Sequence, residues 1–273
     1  MKFGFILPYG DARTAAELSQ VAESAGWDGF FVWDAPWGID PWVSLAAIAM
    51  VTERIRIGTM LTPVSRRRPW KLASETATLD NLSNGRLTLA VGLGALDTGF
   101  AELGEQTDLR TRAELLDEGL EIITGLWRGQ PFNFSGQHYH LKELEFNPPP
   151  PPVQQPRIPI WVVGVWPRMK SIHRVLRWDG VIPETRTTKG EIAEVTVEDI
   201  RAMKTFIDDK RNQPTPFDII KEGETPGDEP EKAAEIVRKW SLAGVTWWLE
   251  ASWSEKNLEK VRTRIQHGPP KYE

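Results

Sequence analysis

Short apolar segments and amphipathic helical segments alternate along almost the whole of this 273-residue chain. The clearest unit is residues 53–94, where a helix with Leu72 and Thr76 on one face lies between two apolar runs. Asn84-Gly85 ends that helix in the way a left-handed cap would. A strand, a helix and a strand at this spacing predict a parallel crossover, which is right-handed almost without exception.

The same alternation extends to both ends of the chain and predicts eight strands, each followed by a helix. The count favours an α/β fold of the (β/α)8 TIM-barrel type, formed as one domain by residues 1–273, because such barrels need about 250 residues. An open nucleotide-binding sheet would carry a glycine-rich loop after its first strand, and residues 8–12 lack one. The predicted strands are residues 2–7, 29–33, 55–60, 87–91, 158–163, 180–182, 217–220 and 245–250.

An insertion is predicted between the fourth helix and the fifth strand. Residues 132–146 alternate in polarity around Ser135-Gly136, which predicts a β-hairpin. Five successive prolines at 148–152 predict a stiff, extended connector that crosses the surface of the domain. Later in the chain, residues 185–196 are polar and are predicted to be irregular.

Composition narrows the classes of function. A net charge of −5 argues against a nucleic-acid partner, because phosphate binding needs clustered cations. Cysteine is absent, which excludes disulfides and thiolate chemistry and agrees with a cytoplasmic protein. The first residues are too interrupted for a signal peptide, and no apolar run reaches the roughly 20 residues of a membrane helix.

Ligands of parallel α/β barrels bind in the loops that follow the strands. Those loops are aromatic, rich in glycine and lightly charged here, which suits a planar, partly apolar cofactor better than a metal. A zinc site at His138 and His140 is the minor alternative to a surface or packing role. The candidate positions are Pro8-Tyr9, Asp34-Ala35-Pro36-Trp37, Thr59-Met60-Leu61-Thr62, Gly92 and Gly94, Gly164-Val165-Trp166, Glu184, Gly223-Glu224-Thr225 and Glu250.

Asp34 and Trp37 are the candidates for catalysis. Asp34 suits a general acid or base or a substrate-orienting group, and a helix or loop cap is the alternative. For Trp37 the alternative is packing in the core. The run Arg66-Arg67-Arg68 is more typical of a solvated loop than of a ligand site.

Gly164-Val165-Trp166, directly before a predicted helix, forms a candidate phosphate cradle. Free amides and the dipole at the amino end of a helix favour an anion, and Arg168 would add positive charge. The alternative is a tight turn between strand and helix that requires glycine.

Several motifs occur in an order that is specific to one known family. On these motifs the chain resembles the bacterial luciferase-like monooxygenases, a superfamily of flavin- and deazaflavin-dependent oxidoreductases. The resemblance covers residues 1–184 closely and 216–270 more loosely. The motifs are RRPWKLA at 67–73, TLDNLSNGR at 78–86, Gly92-Leu93-Gly94, Arg112 with Leu115-Leu116-Asp117-Glu118, LWRG at 126–129 and PRIPIW at 156–161.

The resemblance implies a cofactor ring at the carboxyl ends of the strands. Thr59-Met60-Leu61-Thr62 would support the ring, often through a non-proline cis peptide bond, with Gly92 and Gly94 beside it. The cofactor phosphate would lie at Gly164-Val165-Trp166. Relatives commonly carry Asp-His after the second strand, whereas this chain has Asp34-Ala35, so the usual histidine is missing.

Three functions are compatible with the resemblance. The first is a monooxygenase that uses reduced FMN, supplied by a separate flavin reductase, and oxygen on a small organic substrate. The second is a dehydrogenase or reductase dependent on the deazaflavin coenzyme F420, whose acidic tail the arginines at 66–68 would suit. The third is a flavin-binding barrel without turnover. The resemblance also favours a homodimer, which is common in this family.

Overall fold

The computed structural model describes residues 1–143 and 148–272, and within them eight parallel strands close a barrel surrounded by eight helices. The strands are β1 Lys2–Leu7, β2 Gly29–Val32, β3 Arg56–Thr59, β4 Leu87–Gly92, β5 Ile160–Trp166, β6 Gly180–Arg186, β7 Asp218–Gly223 and β8 Trp247–Glu250. The helices are α1 Ala12–Ser24, α2 Pro41–Val51, α3 Pro69–Leu82, α4 Leu109–Trp127, α5 Met169–Val175, α6 Val197–Lys210, α7 Pro230–Ala243 and α8 Leu258–Gln266.

Each strand pairs in parallel with its neighbour along the chain, and the last pairs with the first. Lys2 of β1 lies opposite Trp247 of β8, and Gly4 lies opposite Gly29 of β2, so the barrel closes between its last and first strands. The predicted TIM barrel is therefore confirmed. That residues 1–273 form one domain stays a prediction. None of the helices in the described part of the chain is long and apolar enough to span a membrane.

The inside of the barrel is filled by side chains, as in other barrels of this size. Side chains alternate along a strand, so a residue two positions after an inward-facing one also faces inward. Toward the carboxyl ends of the strands, five positions follow the interior cluster defined below in this way: Trp33, Gly92, Val165, Glu184 and Glu222. We define the interior cluster by its buried residues: Ile6, Phe31, Met60, Ala90, Trp161, Ile182, Ile220, Trp247, Leu249 and Ala251, with Leu61 and Val163 packed against them.

Three strands extend by three or more residues beyond their predicted ends. β5 and β6 remain paired as far as Trp166 opposite Thr185, past the turn signals Gly164 and Pro183. β6 then pairs antiparallel with Ile192–Ala193, so the segment predicted to be irregular contains a short ribbon. β7 likewise continues to Gly223, three residues beyond its prediction.

The predicted insertion is present after α4. Phe134–Ser135 pairs antiparallel with His140–Leu141, which confirms a hairpin there, while residues 144–146 of the prediction lie outside the described residues. The Glu118 carboxylate of α4 accepts hydrogen bonds from the amides of the turn, including that of Tyr139 at 3.0 Å. Of the five prolines predicted as a surface connector, residues 148–151 are exposed and without regular structure, whereas Pro152 is buried.

Candidate active site

The inward-facing residues at the carboxyl ends of the strands form an open recess, which we call the mouth. Its floor consists of Leu61, Gly92 and Val163. A Cβ atom added to Gly92 would lie 2.9 Å from Val163 Cγ2 and 3.1 Å from Leu61 Cδ1. A side chain at position 92 would therefore fill the floor, and glycine keeps it flat and apolar. The mouth as a whole comprises Trp33, Leu61, Gly92, Val163, Val165, Glu184 and Glu222.

The loop after β3 presents Leu61 to the floor. Its Met60–Leu61 peptide bond is cis, which confirms the expected non-proline cis bond in this loop. Thr59 and Thr62 are buried and hydrogen-bonded to each other, with 2.8 Å between their Oγ1 atoms. Met60 lies in the interior cluster and its amide donates to the Val32 carbonyl at 2.8 Å. Of the four residues in this loop that are predicted to bind the cofactor, the structure thus brings Leu61 to the mouth.

Gly94 shapes the loop after β4. Its φ is +75°, and a Cβ atom there would lie 2.6 Å from Phe100 Cζ and 2.8 Å from Pro63 Cγ. Only glycine fits this backbone and this close approach without strain. The buried Arg112 of α4 fixes the same loop, because its Nη1 donates to the carbonyls of Leu93 at 2.8 Å and Gly94 at 3.1 Å.

Asp34 is buried and holds two guanidinium groups. Arg66 Nη2 lies 3.0 Å from Oδ1, and Arg67 Nε and Nη2 lie 3.1 and 3.0 Å from Oδ2 and Oδ1. The interpretation of the arginine run as a solvated loop is wrong for Arg66 and Arg67, because the carboxylate at the end of β2 draws both inward. Arg68 is exposed. Both oxygens of Asp34 are occupied, so these contacts favour a positioning role, and its catalytic role stays a prediction.

Trp37 lies in the loop between β2 and α2 and is 91% exposed. Packing in the core, the alternative considered for it, is therefore wrong. Together with Tyr9, Trp33 and Ala35 it lines a cavity of about 250 Å³ between the loops after β1 and β2. That cavity lies beside the floor rather than on it, and the catalytic role of Trp37 stays a prediction.

Gly164, Val165 and Trp166 belong to β5 rather than to a loop. A Cβ atom on Gly164 would lie 2.7 Å from Val181 Cγ2, and the Val165 amide already donates to Ser171 Oγ at 3.0 Å. Trp166 packs against Phe206 of α6, with ring centroids 6.0 Å apart. The amides therefore do not form an open cradle, and Val165 alone directs its side chain to the mouth. Phosphate binding at these residues stays a prediction that the contacts do not favour.

Two other candidate carboxylates, at the ends of β6 and β8, are paired with arginines. Glu184 Oε1 accepts from Arg186 Nε at 2.5 Å. Glu250 is buried and faces outward, where Thr225 donates to both of its oxygens at 2.7 Å and Arg264 Nη2 lies 3.2 Å away. Glu250 therefore ties β8 to α8 rather than facing a ligand.

In the part of the chain that the structure describes, no cluster of side chains supports a metal site. No group of three His, Asp or Glu side chains there could hold a metal ion. His138 Nε2 instead lies 3.0 Å from Glu114 Oε2, and His140 is exposed.

Glu222 is a mouth residue that the sequence reasoning missed. Trp253 Nε1 donates to its Oε2 at 3.0 Å, and the Trp253 ring lies edge-on to Trp33 with 6.4 Å between centroids. Burial raises the pKa of Glu222 above its ordinary value of 4.5, while the Trp253 hydrogen bond and the Lys221 charge oppose the rise. The predicted strand ends at Ile220 and therefore excludes Glu222. Extending the alternation from Ile220 by two residues would have found it.

The mouth fits a flat, partly apolar ring. Its floor carries no polar side chain and no Cβ atom at Gly92, while Trp33 and Trp253 supply an aromatic wall and Glu222 a carboxyl group. Such a combination of an apolar surface and few polar groups is typical of sites for organic cofactors. The fold and the mouth together define a parallel barrel with an apolar-floored recess at the ends of its strands.

The sequence matches the family described as luciferase-like monooxygenase over residues 1–264, and the chain belongs to this family. The chain is 34% identical over 212 residues to an F420-dependent glucose-6-phosphate dehydrogenase of Amycolatopsis mediterranei, and the matched stretch covers 69% of this chain and 62% of that protein. The chain is also 30% identical over 156 residues to the oxygenase component of a flavin-dependent trigonelline monooxygenase of Acinetobacter baylyi, and that match covers 54% of this chain and 42% of that protein. The resemblance inferred from the motifs is confirmed.

A solved structure has the same fold over nearly the whole chain. An F420-dependent secondary alcohol dehydrogenase superposes with a TM-score of 0.75 at 16% identity, covering 97% of this chain and 96% of that one. The matched stretches cover 62%, 41% and 46% of the lengths of three curated relatives, which is less than two thirds in each case.

Proposed function

We propose that this protein is a coenzyme F420-dependent oxidoreductase that oxidises an alcohol group of a small organic substrate or carries out the reverse reduction. The 34% identity to an enzyme named as an F420-dependent dehydrogenase, over 69% of this chain, supports this choice. It reverses the order of the two cofactors that the sequence alone favoured. When bound, the deazaflavin accepts or supplies hydride.

The openness of the mouth is the observation that carries the choice of reaction. Trp33 and Trp253 are 43% and 44% exposed, and the ion pair of Glu184 and Arg186 lies in the wall. Oxygen activation on a flavin needs a dry, enclosed chamber that protects a reactive species from water. An open mouth with charged groups suits hydride transfer better.

The residues in and around the mouth would have different roles in binding the cofactor and the substrate. Leu61, Gly92 and Val163 would support the ring from below. Trp33 and Trp253 would limit where a substrate lies above it, since aromatic rings present large rigid surfaces. Asp34 would act indirectly, because its contacts with Arg66 and Arg67 join the end of β2 to the loop that carries Leu61.

A second candidate is the monooxygenase that uses reduced FMN from a separate flavin reductase. The 30% identity to an oxygenase component of a flavin-dependent monooxygenase favours it, over a shorter stretch. A third candidate is a flavin-binding barrel without turnover, because Ala35 stands where relatives commonly carry histidine.

Turnover assays separate the three candidates. The pure protein is mixed with F420 and either glucose 6-phosphate or propan-2-ol, and the visible absorbance of the deazaflavin is followed. Our proposal predicts loss of absorbance that depends on one of these alcohols. Oxygen consumption with reduced FMN that exceeds the autoxidation of reduced FMN without the protein, and no F420 reduction, would instead support the second candidate. Cofactor binding without either reaction would support the third.

A homodimer through α2 is proposed as well. The sequence of α2 is apolar on all sides, and its inner residues Leu45 and Ile48 are fully buried, yet Val43 and Met50 are 63% and 69% exposed. Helices that are apolar all round are normally buried. The same face of a second copy would cover these side chains. Location in the cytoplasm stays a prediction.

A further inference from the structure

Glu222 faces the mouth because of the register of β7. Glu222 lies opposite Leu249 of β8, and Ile220, two residues earlier, lies opposite Trp247. Leu249, Trp247 and Ile220 all belong to the interior cluster. Paired residues of parallel strands direct their side chains to the same face of the sheet, so the carboxyl group of Glu222 points into the barrel at its open end.

The two oxygens of Glu222 have different surroundings. Oε2 is fixed by the indole Nε1 of Trp253 at 3.0 Å, and Trp253 is itself packed against Trp33. Among the residues that the structure describes, Oε1 has no hydrogen-bond partner, and it is not enclosed by protein. One oxygen therefore holds the group in place while the other is available to a ligand in the mouth.

Glu222 also differs from the other carboxylates near the strand ends in its charge environment. Asp34, Glu184 and Glu250 each lie within 3.2 Å of a guanidinium nitrogen. Within residues 1–143 and 148–272, no arginine pairs with Glu222. The charged group that lowers the pKa of Glu222 is Lys221 on the same strand, whose Nζ donates to the backbone carbonyl of Glu222 at 2.6 Å and lies over the Trp240 ring. On the neighbouring β6, Glu184 is bound to Arg186.

We propose that Glu222 is the catalytic acid and base of the mouth, an assignment that rests on the function proposed above. In alcohol oxidation its carboxylate Oε1 accepts the hydroxyl proton while the carbinol carbon loses hydride to the deazaflavin oxidant. The C–H and O–H bonds break, a C=O bond forms, and the products are a carbonyl compound, protonated Glu222 and the reduced deazaflavin. Reduction of the carbonyl reverses each transfer. Burial that raises the pKa of this carboxyl group brings it closer to working pH, which favours both transfers.

The test compares Glu222→Gln with the matched control Glu235→Gln, at an exposed glutamate on α7. Glutamine keeps an acceptor for Trp253 but cannot exchange a proton. F420 binding is measured by fluorescence, and turnover with glucose 6-phosphate and propan-2-ol by absorbance. We expect Glu222→Gln to lower kcat about 100-fold or more, with F420 affinity within twofold of wild type. Glu222→Asp should recover part of the rate, and Glu235→Gln should equal wild type.

A second measurement needs no cofactor. A carboxyl group whose pKa is raised by folding costs stability as pH rises through the folded pKa and costs none below the unfolded value. The urea midpoint of Glu222→Gln should therefore exceed that of wild type at pH 8, and the gap should close near pH 4. Glu235→Gln should show no such gap.

Either of two results would overturn the assignment: a kcat of Glu222→Gln within threefold of wild type, or no gap in urea midpoint at pH 8. A wild-type protein that neither binds F420 nor oxidises either alcohol would overturn the proposed function instead. The pH-dependent gap would then still decide whether Glu222 is a proton-holding group.

Discussion

Arg66 holds Asp34 at two points, since its Nη2 lies 2.7 Å from the backbone carbonyl and 3.0 Å from Oδ1. The pair is buried, with side-chain exposures of 7% and 1%. It joins the end of β2 to the loop that places Leu61 on the floor of the mouth. The residue predicted to act in catalysis thus supports the loop that is predicted to bind the cofactor.

Replacing Asp34 by alanine should destabilise the protein strongly. The change leaves the guanidinium groups of Arg66 and Arg67 buried without their carboxylate, which costs about 3 kcal/mol or more in comparable buried pairs. Urea denaturation measures the loss, with the exposed Asp228→Ala as the control. If Asp34→Ala kept wild-type stability and F420 affinity but lost turnover, Asp34 would be a catalytic residue rather than a positioning one.

The variants Gly94→Ala and Gly99→Ala distinguish the energetic cost of backbone strain from the cost of close packing in the segment after β4. Both positions have positive φ, at +75° and +100°, but a Cβ atom meets Phe100 and Pro63 only at Gly94, with nothing within 4 Å at Gly99. We expect a loss of about 1 kcal/mol for Gly99→Ala and about 3 kcal/mol for Gly94→Ala in the free energy of unfolding. Equal losses would mean that the contact with Phe100 has no energetic weight.

Trp253→Phe should shift the pH profile of alcohol oxidation. The indole hydrogen bond favours the ionised form of Glu222, so its removal raises the pKa of Glu222 further. Oxidation needs the ionised carboxylate as base, and the rising limb of kcat against pH should therefore move to higher pH. Trp70→Phe, at an equally exposed tryptophan on α3, should leave the profile unchanged. A shift to lower pH would contradict the proposed role of Glu222.

Met50→Glu should separate the proposed homodimer. A charge on the outer face of α2 would have to be buried in the interface, which is costly without a partner. Light scattering after size exclusion should give a dimer for wild type and a monomer for Met50→Glu. Leu242→Glu on α7, where leucine is 76% exposed, serves as the control and should remain dimeric. A monomeric wild type would refute the interface.

The barrel was predictable because its strands are buried on both faces and read as continuous apolar runs between helices of a different period. The ends of β5 and β6 were not. Gly164 and Pro183 are local turn signals, but they lie opposite each other in the sheet, and the pairing between the two strands continues past both. Whether a strand ends at such a signal depends on its neighbour, which lies elsewhere in the chain.

The floor of the mouth was partly predictable, since Leu61 and Gly92 directly follow or end strands. The partners of charged residues were not, because Asp34 and Arg66 meet across 32 positions and no periodicity links them. Glu222 was missed for a different reason, because its strand was ended too early. The exposure of Trp37 likewise depends on how its loop lies over the barrel.

Cofactor titration of wild type and Gly92→Ala tests the central claim most directly. The added methyl group would lie 2.9 Å from Val163 and push the floor toward the bound ring. We predict that wild type binds F420 at least tenfold more tightly than FMN and that Gly92→Ala weakens F420 binding about tenfold while its urea midpoint shows a folded protein. Tighter binding of FMN than of F420 would contradict the choice of cofactor. Unchanged F420 affinity in the folded variant would contradict its place on the floor formed by Leu61, Gly92 and Val163.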